Sequence, residues 1–189
     1  MRRRVALFGG SFNPPHVAHQ LVALYVLETE PIDELWLIPC FKHPFDKALE
    51  SFEDRLWMCR LAALPLGSRA AVSDCEKQLG GESRTLRTVK SLLSVHPDIE
   101  LSLVIGADLE TEVASWYGAD ELRELVRFIV VPRTGYGQLS VEANTRPAMP
   151  AVSSSDIRER LRQGYPVDAL VPRSVLDYIH QRKLYGASP

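Results

Sequence analysis

A chain of 189 residues that is 46% hydrophobic can bury roughly 70% of the surface its unfolded form exposes, so one ordinary globular domain needs no disulfide or metal staple. A formal charge of −2 gives no general attraction to nucleic acid or to a membrane surface, and any recognition of anions must be local. The three cysteines show no Cys-x-x-Cys pairing and the apolar runs are too short to span a bilayer, which predicts reduced thiols in a cytoplasm.

Met-Arg-Arg-Arg opens the chain like the basic end of an export signal, but Gly9 interrupts the apolar run behind it too soon for one. Val5 to Phe8 is short, apolar and bounded by glycine, as in a strand buried on both faces of a parallel sheet. Gly9 and Gly10 end it, and Pro14 and Pro15 suit the first positions of a helix from Pro15 to about Thr29. Glu34 to Pro39 predicts a second strand, Cys40 to about Ser51 a loop, and Phe52 to Leu64 a helix. Ala70 to Ser73 is a weak strand, and Thr85 to Val95 a helix with Ser83 as its cap. Leu101 to Ile105 is a strand ending at Gly106-Ala107-Asp108, Leu122 to Leu125 closes a short helix, and Phe128 to Val131 is a further strand. Thr134 to Pro150 reads as an exposed loop, and Ser153 begins a last helical pair. This alternation predicts an α/β chain, residues 1–189 as one domain: a Rossmann-like, doubly wound parallel sheet with helices on both faces and a C-terminal helical segment.

Such sheets bind ligands at the carboxyl ends of their strands, and three segments fall there. In the first, the helix after Gly9-Gly10-Ser11 should aim its unpaired amides and dipole at an anion, and Ser11 adds a donor. His16 and His19, three apart, share one face and can donate to the same phosphate oxygens. A bare His-x-x-His is commonly just a solvated helix face, and a metal site would need further ligands at compatible spacing. In the second, Asp108 can accept from a ribose hydroxyl or a pyridine substituent, or can simply cap a helix. In the third, Val152 to Arg158, serines offer hydroxyls and amides at a helix start, while Arg158 one turn inside can fork onto phosphate oxygens. Alone, that segment would also serve as a capped amphipathic helix.

The string Gly9-Gly10-Ser11-Phe12-Asn13-Pro14-Pro15-His16-Val17-Ala18-His19 closely resembles the signature of the adenylyltransferase branch of the nucleotidyltransferase superfamily, Gly-Gly-(Ser/Thr)-Phe-Asp-Pro-x-His-x-Gly-His. Asn13 stands for the aspartate and Ala18 for the last glycine. Val152 to Arg158 is similar to the superfamily's Ile-Ser-x-Thr-x-x-Arg, with Ser155 in the threonine position. Ile105 to Asp108, Ser115-Trp116-Tyr117, Val131 to Gly135, and Leu170-Val171-Pro172 through Leu184-Tyr185 look like bacterial nicotinate-nucleotide adenylyltransferases.

The resemblance implies transfer of an adenylyl group from ATP to nicotinate mononucleotide, giving deamido-NAD and pyrophosphate in NAD biosynthesis. It implies catalytic roles for His16, His19 and Arg158, and nucleotide contacts from Gly9, Gly10, Ser11, Phe12, Asn13, Gly106, Asp108, Arg133, Ser154 and Ser155. Thr85, Asp108 and Trp116 would hold the pyridine nucleotide, Lys42, Lys47 and Arg55 are candidates for the triphosphate, and Mg²⁺ would arrive with ATP rather than in a protein cage. The acceptor phosphate is already anionic near neutral pH, so neither a general base nor a covalent nucleophile is required. Catalysis would rest on alignment and on stabilising the charge that develops at phosphorus. One departure stands out: the family's Pro-Ser-Tyr-Thr is here Glu82-Ser83-Arg84-Thr85, which leaves the choice between nicotinate and nicotinamide open. The alternatives are a related transferase for nicotinamide mononucleotide, pantetheine phosphate or a cytidylyltransferase substrate, and an inactive nucleotide-binding sensor. The Trp116 segment and the Leu184-Tyr185 tail weigh against the more distant acceptors, and the trio His16, His19 and Arg158 weighs against the sensor.

Overall fold

The computed structural model describes residues 2–43, 48–132 and 149–187. Strands β1 (Arg3–Gly10), β2 (Glu34–Pro39), β3 (Ala70–Val72), β4 (Ile99–Gly106) and β5 (Arg127–Val131) form one sheet in the order β3-β2-β1-β4-β5. Every neighbouring pair is parallel, with Val5 beside Glu34 on one side and Leu101 on the other. Winding proceeds outward from β1 in both directions. The carboxyl ends of β1 and β4, where the strand order reverses, therefore flank a crevice that no crossover covers.

The helices are α1 (Val17–Thr29), α2 (Phe52–Ala63), α3 (Cys75–Leu79), α4 (Thr85–Val95), α5 (Ala119–Leu125), α6 (Ser154–Arg162) and α7 (Arg173–Arg182). Alternation along the strands sends successive side chains to opposite faces. Val5, Leu7, Trp36, Ile38, Leu101, Leu103 and Ile105 pack against Cys75 of α3, Leu86, Val89 and Leu92 of α4 and Leu122 of α5. On the other face, Ala6, Leu35, Leu37, Val104, Ile129 and Val131 meet Ala23, Val26 and Leu27 of α1 and Cys59 and Ala63 of α2. Helix α2 has a second apolar side. Met58 and Ala62, one residue before Cys59 and Ala63, join Ile157, Leu161, Val175, Leu176, Ile179, Leu184 and Tyr185 in a third core that fastens the C-terminal helices to the sheet. The sheet type, the two helical layers and the C-terminal helical segment match the sequence reading.

Some boundaries move. Helix α1 begins at Val17, not Pro15, because the chain stays extended through His16, whose amide is taken by the His19 side chain as an N-cap amide is in a capping box. His16 is extended (φ −142°, ψ 174°) and is the N-cap. Of the first-turn amides expected to be unpaired, that of Val17 donates to the Leu170 carbonyl at 3.0 Å. Ser83 does not cap α4: the N-cap is Arg84, without a side-chain cap, and the Ser83 hydroxyl is turned toward Phe41, Lys42 and Glu76. Helix α2 ends at Ala63 and runs into a 3-10 turn at Leu64–Leu66 carrying a proline. Helix α3 was not expected. Of the loop predicted at Thr134 to Pro150, only the last two residues lie among those described.

Candidate active site

The crevice at the switch point opens into a cavity of about 460 Å³. It is lined by Gly9 and Gly10 at the end of β1, Ser11 just after it, Ile105 of β4, Thr85 at the start of α4 and Trp116. Trp116 also packs on the first core, so one ring serves both core and cavity. A Cβ built on Gly9 would meet no protein atom within 4 Å, leaving that space to a ligand. Gly10 is constrained differently. A Cβ there would lie 3.1 Å from the Phe12 ring, which is 1% exposed and tucked beneath the turn. Phe12 reaches that place with φ +46°, a left-handed backbone that non-glycine residues adopt at a cost.

Beyond the turn, the His16 and His19 rings stack with centroids 3.7 Å apart, and Phe12 meets His19 edge-on at 4.9 Å. The His16 amide donates to His19 Nδ1 at 3.1 Å. A ring nitrogen that accepts carries no proton, so the neutral His19 ring holds its hydrogen on Nε2. Helix α6 closes the other side. Ser153 caps it by accepting from the Ser155 amide at 3.2 Å, and Ser154 Oγ donates to the Pro14 carbonyl at 2.9 Å. Arg158 spans the gap between helix and turn, donating from one guanidinium nitrogen to the Asn13 carbonyl at 2.8 Å and from the other to Ser155 Oγ at 3.2 Å.

The turn is held from below by a network in which Asn13 is the hub. Asn13 is 2% exposed, and its side-chain oxygen accepts from the Glu50 amide at 3.1 Å and from Tyr185 Oη at 2.9 Å. An amide N–H can only donate, which fixes the oxygen's orientation. Glu50 returns a bond, its carboxylate accepting from the Tyr185 amide at 3.2 Å. Arg55 is 1% exposed and donates to the Glu50 carbonyl at 3.0 Å and the Ser11 carbonyl at 2.8 Å. Burial pushes the Arg55 guanidinium below its ordinary pKa and the Tyr185 phenol above its own.

The structure thus brings together most of the sequence-predicted residues, with corrections. Gly9, Gly10, Ser11, Thr85 and Trp116 share the cavity, while His16, His19, Ser154, Ser155 and Arg158 gather around the turn at 11–16. Gly106 and Asp108 lie at the end of β4, with the Asp108 carboxylate so close over Gly106 that a Cβ there would collide with it. The amide of Ser155 is not free, because Ser153 takes it. Asn13 and Phe12 turn their side chains into the protein, not outward, and Arg55 is an internal brace where an exposed triphosphate contact was expected. Lys42 is exposed beside the cavity, its amide and carbonyl both bonded to Ser83. Lys47 and Arg133 lie outside the described residues. Sequence reasoning missed Glu76, Ser83, Thr88 and Tyr117 in the cavity wall and the Tyr185–Asn13 bond. The tail Leu184-Tyr185 was noticed only as a resemblance, and Glu76 lies on a helix too short to announce itself. Among the described residues, no group of three or more His, Cys, Asp or Glu is arranged to hold a metal ion, and no helix is long and apolar enough to cross a membrane.

A cytidylyltransferase-like family model matches residues 7–160, from inside β1 into α6, so the chain belongs to that class of nucleotide-transferring enzymes. A probable nicotinate-nucleotide adenylyltransferase of Anaeromyxobacter dehalogenans (strain 2CP-C) is 46% identical over 186 residues, covering 97% of both chains. Another from Myxococcus xanthus (strain DK1622) is 38% identical, covering 97% of this chain and 95% of its own. Within the class, the chain belongs to the nicotinate-nucleotide adenylyltransferase family. The fold is shared with Plasmodium falciparum nicotinic acid mononucleotide adenylyltransferase complexed with NaAD, at a TM-score of 0.81, 22% identity and 98% coverage of each chain.

Proposed function

We propose that this enzyme transfers the adenylyl group of ATP to nicotinate mononucleotide. An oxygen of the acceptor's phosphate attacks the α-phosphorus, the α–β bridging bond breaks, and pyrophosphate leaves with the electron pair, giving deamido-NAD. The observation that carries this reading is the shared cavity at the sheet's switch point, which Gly9, Gly10 and Ser11 line together with Thr85 and Trp116. Trp116 offers a ring to the pyridine. Thr85 and the N-terminus of α4 offer donors and a favourable dipole to its carboxylate, and Arg84, at the rim, adds a cation now paired with Glu82 at 2.9 Å. His19 Nε2, His16 and Arg158 supply donors that suit phosphate oxygens bearing developing charge. Contacts from Gly106, Asp108, Ser154 and Ser155 complete the nucleotide site. Mg²⁺ reaches it on the phosphates of ATP, since it favours oxygen ligands and water. None of Cys40, Cys59 and Cys75 is in a disulfide, which suits the reducing cytoplasm proposed for the enzyme.

Pyrophosphate release from ATP, measured with nicotinate mononucleotide, nicotinamide mononucleotide and pantetheine phosphate, tests the reading. A site built for a carboxylate leaves polar groups unpaired against the amide, at roughly 1–3 kcal/mol each, so kcat/KM should favour nicotinate mononucleotide about tenfold or more. Equal values, or preference for the amide, would show that Glu82-Ser83-Arg84-Thr85 serves another acceptor. Release with none of the three would overturn the reading as a whole.

A further inference from the structure

We infer that Glu76 is a positioning residue of the acceptor pocket, clamping the loop after β2 to the first turn of α4 and so fixing the wall that presents Thr85. The inference rests on the proposed function, because it concerns the half of the cavity assigned to the pyridine nucleotide. Glu76 lines that cavity together with Cys40, Ser83, Arg84, Thr85 and Thr88. One of its carboxylate oxygens accepts the Phe41 amide at 3.0 Å and the Ser83 hydroxyl, and the other accepts Thr88 Oγ1 at 3.1 Å. A carboxylate has about four lone-pair sites and can take all three donors together. Ser83 completes the stitch. Its single proton goes to Glu76, its lone pairs receive the Lys42 amide at 3.3 Å and, at 2.9 Å, the Phe41 amide, whose one hydrogen is shared with Glu76, and its own amide donates to the Lys42 carbonyl at 2.9 Å. Two segments about forty residues apart in the chain are thereby joined through one side chain at the edge of the cavity.

The clamp is separable from the fold. Cys75, Leu86 and Val89, its neighbours on α3 and α4, are buried in the first core whatever residue stands at 76. Removing the carboxylate therefore loosens the wall more than it loosens the domain. The three donors also tell which substitution should rescue. In Glu76→Gln, the amide oxygen can keep Phe41 and Ser83, and the NH₂ can donate to Thr88 Oγ1, whose proton turns to the Arg84 carbonyl, already 3.3 Å away. Glu76→Ala leaves Phe41 with Ser83 Oγ and Thr88 with the Arg84 carbonyl, deprives the Ser83 hydroxyl of its acceptor, and cuts the link between the loop and α4 that runs through residue 76.

The experiment is steady-state kinetics of pyrophosphate release by wild type, Glu76→Ala and Glu76→Gln, varying ATP and nicotinate mononucleotide separately, with thermal unfolding of each protein. The expected result is an acceptor KM about tenfold or more higher in Glu76→Ala, an ATP KM within about twofold of wild type, and recovery of most of the loss in Glu76→Gln. Equal rises in both KM values, no rise in either, or failure of glutamine to rescue would overturn the inference. Should Glu76→Ala not fold, Ser83→Ala carries the same test, with a severalfold rise confined to the acceptor KM expected and unchanged or parallel KM values overturning it. Wild type is measured first. If it uses an acceptor other than nicotinate mononucleotide, the proposed function falls and the KM comparison is made with the acceptor that is used; if it uses none, both fall.

Discussion

His19 Nδ1 accepts the His16 amide, so the hydrogen of the neutral ring sits on Nε2, and the His16 ring stacks on its face. In the proposed reaction Nε2 donates to a phosphate oxygen. A donor whose bond strengthens as charge develops lowers the barrier more than it aids binding. His19→Ala should therefore reduce kcat on the order of 10²-fold while the KM for ATP changes little, as steady-state kinetics would read. Near-normal kcat would remove His19 from the mechanism. Arg158 is placed by geometry as much as charge: its two terminal nitrogens reach Asn13 and Ser155 at once, which an ammonium on a flexible stem does not reproduce. Arg158→Lys should lower kcat/KM clearly, and wild-type kinetics with unchanged thermal stability would reduce Arg158 to a brace of α6. At this scale the sequence was most legible where chemistry is local. The spacing of three brought the two rings together as read, whereas the burial of Arg55 and Asn13 depended on Glu50, Ser11 and Tyr185, partners that no neighbouring residue names.

Between elements, the joint of α2 and α7 illustrates how charge sets stability. Asp54, near the start of α2, accepts Tyr178 Oη at 2.7 Å, Arg182 Nε at 3.1 Å and Ser51 Oγ at 2.7 Å. Burial by itself would raise the Asp54 pKa, but these three partners outweigh it and hold the carboxyl below its ordinary value. The folded chain thus binds the proton more weakly than the unfolded chain does. The stabilisation is complete above the ordinary carboxylate range, about pH 4, and is lost as pH falls through the lower folded value. Thermal unfolding followed from pH 7 to pH 3 should show stability falling at the acid end. Asp54→Ala should be less stable at pH 7, by about 1 kcal/mol or more for the bonds lost, and should show a shallower fall. Parallel profiles for the two proteins would assign the acid loss to other carboxylates. Element order and type were readable here because period-2 and period-3.6 patterns are properties of short windows. Helix α3, five residues long, and the start of α1 were not, since neither short helices nor caps after consecutive prolines leave such a pattern.

In the whole molecule, the third core ties the C-terminal segment to the turn at residues 11–16. Leu184, Tyr185 and Ala187 are buried with α2, α6 and α7, and Tyr185 reaches Asn13 across 172 positions of sequence. Ending the chain at Lys183 should therefore lower the unfolding temperature and also abolish most adenylyl transfer. Tyr185→Phe, which keeps the ring and removes only the hydroxyl, separates the two effects: about 1 kcal/mol of stability should be lost, with a reduced kcat. A truncated chain of unchanged activity would show that the turn holds its shape without the tail.

By itself the sequence determined the parallel sheet and the helices on both faces, through the alternation of short apolar patterns along the chain, and it singled out the glycine turn, His16, His19 and Arg158 through two short motifs. Only the tertiary structure decided which side chains line the cavity and which brace the residues that do. Arg55, a cation expected at the triphosphate, is sealed beneath the turn, and Glu76, which drew no notice, forms part of the cavity wall. The reason is physical: a charged or polar side chain takes its role from the donors, acceptors and water excluded around it, and folding assembles those from segments tens to more than a hundred residues apart.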